Sequence, residues 1–179
     1  MSTVPQSLEI ALLGFLLDQP QHGYAIHRQL SDPAGLGPVW RLKLSQLYAL
    51  LHKLEEAGYV SATVEVQESR PLRKVFQLTA TGETAFLAWV GSPVLQARAL
   101  RLDFLVKLYF ARRQSADAAS RLVAAQRAHV QEWLVDASRR AARASGDRAY
   151  GRLVYQFRQG QIEAMLIWLD QCEATFHEG

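Results

Sequence analysis

The sequence predicts a mainly α-helical chain carrying one small β-hairpin, and three features predict it. Apolar residues recur at helical spacing through most of the 179 residues. Between Val60 and Leu78 the pattern switches to alternation in twos, as a half-buried strand requires. After Gly91-Ser92-Pro93 it is helical again to the end, which makes that tripeptide the natural boundary. The expected domains are therefore residues 1–92 and 93–179.

Each element follows from local chemistry. Ser7 is placed to cap a first helix over Leu8 to Leu17, whose Leu8, Leu12, Phe15 and Leu16 share a face; Pro20 enforces a stop. His22-Gly23 opens a second helix, Tyr24 to Leu30, and Pro33 to Pro38 is a loop punctuated by Pro and Gly. From about Ser45 to Ala57 a third helix sets Leu47, Leu50, Leu51 and Leu54 on one side, with Gly58 as its stop. Ala62, Val64 and Val66 then alternate with polar residues, and Phe76 and Leu78 do the same in a second strand from Lys74. Thr79 or Thr81 caps a fourth helix to about Val90. Three helices, a hairpin and a helix are the order of a winged helix-turn-helix.

In the second domain Leu95 to Ala111 reads as one amphipathic helix, and Ser115 caps a long one to about Ala144, ended by Gly146. Val123, Val130, Ala137 and Ala144 lie seven apart with Leu122, Trp133 and Leu134 beside them, a coiled-coil-like seam. The last helix, about Asp147 to Thr175, carries Tyr150, Leu153, Phe157, Met165 and Trp168 and is apolar nearly all round from Ala164 to Leu169. So short a domain cannot cover these surfaces alone. A dimer interface is therefore expected at Val123, Val130, Trp133, Phe157, Met165 and Trp168.

Composition narrows the function. With 49% hydrophobic and 21% charged residues the chain can build a core. Its longest charge-free stretch, between Glu83 and Arg98, is too short to span a bilayer. The N-terminus lacks the basic region of a secretory signal, so the expected compartment is the cytoplasm. Net charge is −1 over residues 1–92 and +4 over 93–179, so any polyanion contact by the first domain must use a local cluster. One cysteine, Cys172, excludes an intramolecular disulfide. His22 and His27 stand without companions at metal spacing, and no nucleophile, phosphate-loop or dinucleotide motif occurs. No metal, no cofactor and no catalysis are expected.

Two basic clusters flank the expected scaffold. The outward stripe of the third helix carries Gln46, Ala49 and Lys53 with Ser45 and Tyr48 alongside, and Arg41 and Lys43 precede it. Gln pairs with adenine, Lys with guanine or phosphate, and a helix N-terminus favours phosphate. At the hairpin tip Arg70, Arg73 and Lys74 suit a wing laid on the backbone or in the minor groove. A protein-contact module without specific DNA binding would keep the apolar pattern but would not need these cations. Trp40, Trp89, Phe104 and Tyr109 are candidates for an aromatic effector pocket.

Leu12-Leu-Gly-Phe-Leu16, His22-Gly-Tyr-Ala-Ile26, Leu47 to Gly58, Arg73 to Thr79 and Asp103 to Leu108 occur in an order that resembles the PadR family of bacterial transcriptional regulators. The branch with a long helical C-terminal domain, which includes virulence-gene activators, is the most similar. The resemblance implies a homodimer whose C-terminal helices clasp one another and whose two winged heads read a two-fold operator in double-stranded DNA. It carries DNA contact onto Gly23 and Tyr24, onto Tyr48 and Lys53, and onto Arg70, Arg73 and Lys74. Some relatives are released from DNA by phenolic carboxylic acids, so a small aromatic effector is among the implied partners.

Overall fold

A computed structural model describes residues 7–65, 73–143 and 149–177. They form two compact units: the first holds the chain up to Gly91 together with Leu105–Phe110, the second holds Ser92–Phe104 and everything from Ala111 onward.

In the first unit α1 (Ser7–Ala11) tightens into a 3-10 helix over Leu12–Leu16, every residue of which is buried. Ser7 is itself the first helical residue, so it is not the cap outside the helix. A two-residue strand, β1 (Gln21–His22), leads into α2 (Gly23–Leu30), then come α3 (Leu44–Glu56), β2 (Val60–Glu65), β3 (Arg73–Leu78) and α4 (Ala80–Val90). The three strands form one antiparallel sheet in the order β1-β3-β2. Leu47, Leu51 and Leu54 turn into the core, as the spacing predicts. Phe110 packs edge-on against Phe15 at 5.2 Å and Phe86 at 5.4 Å, which places the Leu105–Phe110 segment in this core although it lies beyond Pro93.

The ends of these elements are built by identifiable groups. The Gly58 amide donates to the Glu55 carbonyl and the Tyr59 amide to the Leu54 carbonyl. With Gly58 at φ 78°, this is a Schellman stop that other residues would enter at a cost. Thr79 Oγ1 accepts from the Gly82 amide at 3.1 Å and caps α4. Beyond Val60 strand β2 leaves the core: Val64, expected to face inward, is exposed. The expected partner in that alternation, Val66, lies outside the described residues.

Past Pro93 the expected single helix from Leu95 is interrupted, and its stretch Leu105–Phe110 belongs to the first unit. A short α5 (Ala97–Ala99) passes through a π-helical turn, Leu100–Phe104, before α6 (Leu105–Gln114) resumes. The turn buries Phe104 completely, edge-on to Trp168 at 5.9 Å. Ser115 caps α7 (Ala116–Arg143) by accepting from the Ala118 amide at 3.0 Å. α7 and α8 (Ala149–His177) run antiparallel, tied by Arg127 to Asp170 at 2.6 Å and by Gln159 to Ser138 at 3.0 Å. Asp170 holds the Arg127 guanidinium above its ordinary pKa. Ala144 and the break expected at Gly146 lie outside the described residues.

One expectation for the second unit needs correction. Val123 and Val130, assigned to an interface between subunits, are fully buried by their own chain. Their seam packs inside one molecule. Gln126 on the same helix is also buried: its Oε1 accepts from the Val94 amide at 2.7 Å, and its Nε2 donates to the Val94 carbonyl at 3.2 Å. One side chain thereby satisfies both backbone groups of the connecting segment. Among the described residues no helix is long and apolar enough to cross a membrane.

Candidate nucleic-acid interface

The second and third helices of the head define the site. α3 turns Leu47, Leu51 and Leu54 inward, so the 100° step between residues leaves Ser45, Gln46, Tyr48, Ala49, His52 and Lys53 exposed on the opposite face. The backbone of Lys43 is extended, at φ −72° and ψ 149°, and begins the helix. Its N–H donates to Gln46 Oε1 at 2.9 Å, which satisfies one of the orphan donors of the entry to α3. Lysine has no acceptor to return the bond, so this is half of a capping box. The amide oxygen of Gln46 is thus committed to its own helix, while Arg41, Lys43 and Ser45 lie exposed around the helix start.

α2 fixes where α3 points. A Cβ on Gly23 would lie 2.6 Å from Cε1 of Tyr48, so the absence of a side chain lets the Tyr48 ring seat on the first residue of α2. Tyr48 stays 40% exposed, and the neighbouring Tyr24 is 65% exposed. His27 Nε2 lies 2.9 Å from the Leu42 carbonyl and ties the segment before α3 to the body of α2. These contacts make the two helices one rigid surface with two phenol rings at its edge.

The cations divide into two groups that sequence does not distinguish. Lys53 Nζ lies 2.7 Å from Glu9 Oε1, a carboxylate largely buried on α1. Lys74 Nζ lies 2.6 Å from Glu55 Oε2 and 5.6 Å from the centre of the Phe76 ring. Both expected DNA contacts are therefore paired within the head. Lys43, by contrast, carries no ion pair among the described residues, and Arg41 reaches only the Gly37 carbonyl at 3.5 Å. Arg73 occupies the last rung of the β2–β3 ladder, opposite Glu65. Arg70 lies outside the described residues.

The four aromatic residues named for an effector pocket are each engaged in packing. Trp40 is buried; Trp89 meets Phe86 at 5.9 Å and lies beneath the Lys107 ammonium at 5.0 Å. Tyr109 stands edge-on to Phe110 at 5.1 Å, and Phe104 is the buried partner of Trp168. Of the residues named for an interface, Phe157 is exposed, whereas Trp133 and Met165 are half-buried at the wall of a cavity inside the second unit. Burial pushes the Cys172 thiol up from its ordinary pKa. No group of three or more His, Cys, Asp or Glu is placed to hold a metal among the described residues.

A three-stranded sheet whose β2–β3 hairpin follows a two-helix reading surface, joined to a helical second unit, defines a DNA-binding winged helix-turn-helix protein with a helical C-terminal domain. Two family profiles match in succession: the transcriptional regulator PadR-like family over residues 12–88 and the virulence activator alpha C-term domain over residues 100–177. The chain belongs to the PadR-like family of transcriptional regulators, a family of regulators and not of enzymes.

Among its relatives, the negative transcriptional regulator PadR of Bacillus subtilis is 29% identical over 103 residues, 58% of this chain and 56% of that protein. The probable transcriptional regulator Rv1176c of Mycobacterium tuberculosis is 28% identical over 92 residues, 51% of this chain and 48% of that protein. The chain spans about half the length of the curated relatives it matches. Among solved structures, Bacillus subtilis PadR in complex with operator DNA is 24% identical, covering 96% of this chain and 99% of that one at a TM-score of 0.48. The same protein in complex with p-coumaric acid is also 24% identical, with the same coverage and a TM-score of 0.42.

Proposed function

We propose that this regulator binds a two-fold operator in double-stranded DNA as a homodimer, in the cytoplasm, with α3 in the major groove and the β2–β3 wing on the backbone or in the minor groove. One observation carries the reading: the face of α3 opposite its leucines is exposed from Ser45 to Lys53 and is aimed by the Tyr48 ring seated on Gly23. A major groove about 12 Å wide admits such a helix with its polar edge forward. Lys43 and Arg41 at the helix start supply phosphate contacts, and Ser45, Tyr48 and the Gln46 amide donors supply the rest.

Dimerisation is supported by α8. Tyr150, Leu153, Phe157 and Ile167 are 80, 62, 66 and 61% exposed, and Gly160 and Ala164 complete the same stripe at alternating steps of three and four. A seam of that period, left open on one chain, suits a second copy. A small aromatic effector of the phenolic-acid kind fits the same reading, since the Bacillus subtilis relative was solved with p-coumaric acid.

The test is selection of random duplex DNA by the purified protein, followed by affinity measurements across salt concentration. Enrichment of a two-fold motif with half-sites about one turn, ~34 Å, apart and a steep salt dependence are expected. A pool with no motif and binding indifferent to salt would make the head a protein-contact module.

A further inference from the structure

Gln46 is the third residue of α3, in the turn with which a recognition helix meets base edges, and its side chain is exposed. Glutamine is the residue type that pairs with adenine, and the pairing has a definite requirement. The amide must present its oxygen and its nitrogen together, the oxygen taking a proton from adenine N6 and the nitrogen giving one to N7. In this chain the two atoms are not equally available. Gln46 Oε1 accepts from the Lys43 N–H at 2.9 Å. The partner fixes the identity of that atom, because a backbone N–H can be met only by an acceptor and the amide nitrogen is none. Releasing the oxygen would orphan a donor at the start of α3, where the first N–H groups have no partner inside the helix. The planar amide, held by its oxygen on the backbone of Lys43, therefore leads outward with its nitrogen. Gln46 Nε2 has no hydrogen-bond partner among the described residues.

We propose that Gln46 is a specificity-determining residue that acts as a donor only, selecting guanine and rejecting adenine at its position in each half-site. Guanine offers the amide nitrogen two neighbouring acceptors, N7 and O6, whereas adenine sets its N6 amino group against it, donor facing donor. Cytosine shows only a donor in the major groove and is rejected for the same reason; thymine, with O4 alone, comes second to guanine. The hydroxyls of Ser45 and Tyr48 donate and accept alike, so neither can make this distinction. Because the cap orients the amide before DNA arrives, little of the side chain's freedom remains to be lost on binding. The inference rests on α3 lying in the major groove and deepens that reading by naming a base.

The experiment compares the full chain with its Gln46→Glu and Gln46→Ala variants, by selection from a random duplex pool and by hydrogen exchange of the Lys43 amide. A glutamate here still accepts from the Lys43 N–H with one carboxylate oxygen, but its other oxygen meets the base as an acceptor. The unaltered protein should prefer guanine over adenine at one half-site position by about fivefold or more, and Gln46→Glu should prefer cytosine there. Gln46→Ala should lose its preference at that position alone. The Lys43 amide should exchange slowly, free and on DNA, in the unaltered protein and in Gln46→Glu, and about tenfold faster or more in Gln46→Ala. Should the missing cap cost Gln46→Ala its binding altogether, the move from guanine to cytosine in Gln46→Glu decides alone. Adenine preferred at the position that Gln46 governs, the same motif from all the proteins, or a Lys43 amide that loses protection when DNA binds would overturn the proposal and leave the DNA reading intact. A pool without any motif from the unaltered protein would bring down the DNA reading, and the donor role of Gln46 with it.

Discussion

Gly82 has no room for a side chain. A Cβ there would stand 2.1 Å from the Tyr59 carbonyl oxygen, a backbone atom that already accepts from the Thr79 amide at 3.1 Å and the Thr79 hydroxyl at 3.0 Å. Neither partner can give way, because the same Thr79 caps α4. Gly82→Ala should cost about 2–3 kcal/mol, read as a Tm lowered by ~5–10 °C in thermal unfolding; an unchanged Tm would mean that the cap region yields. Sequence shows Gly82 inside a helical pattern and nothing of this contact, which depends on a residue 23 positions away. The same distance problem hid the lysine partners. Helical spacing placed Lys53 on the outward stripe, but Glu9, its partner at 2.7 Å, belongs to α1. A cation that must leave a partly buried carboxylate gives back in desolvation and lost pairing some of what a phosphate supplies. Lys43→Ala should therefore reduce the salt slope of duplex binding by about one, and Lys53→Ala by distinctly less. Equal reductions would show that the Glu9 pair opens without cost.

At the scale of elements, periodicity carried most of the fold. Leucines at helical steps located α3, and alternation located β2 and β3, because burial on one side imposes those periods directly. What periodicity lacks is the identity of the covering surface. The sevenfold run Val123, Val130, Ala137 reads identically whether another subunit or the chain's own helices cover it, and here the chain covers it. The two-residue β1 is too short to show alternation, and the π-helical turn at Leu100–Phe104 leaves an apolar pattern that still looks helical. The open seam was instead on α8, where Phe157 and Ile167 lie exposed. Phe157→Glu or Ile167→Glu places a charge on that face without touching the buried Ile162 and Leu169. Each should raise the dimer dissociation constant at least tenfold in sedimentation equilibrium while preserving the helical spectrum. A dimer indifferent to both charges would move the interface off α8.

For the whole molecule, the proposed reading makes operator recognition a matter of linkage between two identical heads. One head offers a single α3 face with few unpaired cations, Arg41 and Lys43 among them, and its residues 1–92 carry a net charge of −1. Such a head alone should bind duplex weakly. When α8 joins two chains, the second head meets its half-site at an effective concentration in the millimolar range, which raises affinity by about 10²–10⁴ without a new contact. The gain exists only if the half-sites match the spacing of the heads, near one helical turn. Phe157→Glu should therefore lower affinity for a two-half-site duplex to nearly that for a single half-site, by at least a hundredfold, yet leave single-half-site binding unaltered. Moving the half-sites apart by five base pairs, half a turn, should cost the unaltered protein a similar factor and cost the variant nothing. Electrophoretic mobility titrations on the three duplexes with both proteins make the check. If spacing does not matter to the unaltered protein, the heads engage DNA independently, and the proposed seam on α8 does not measure the operator.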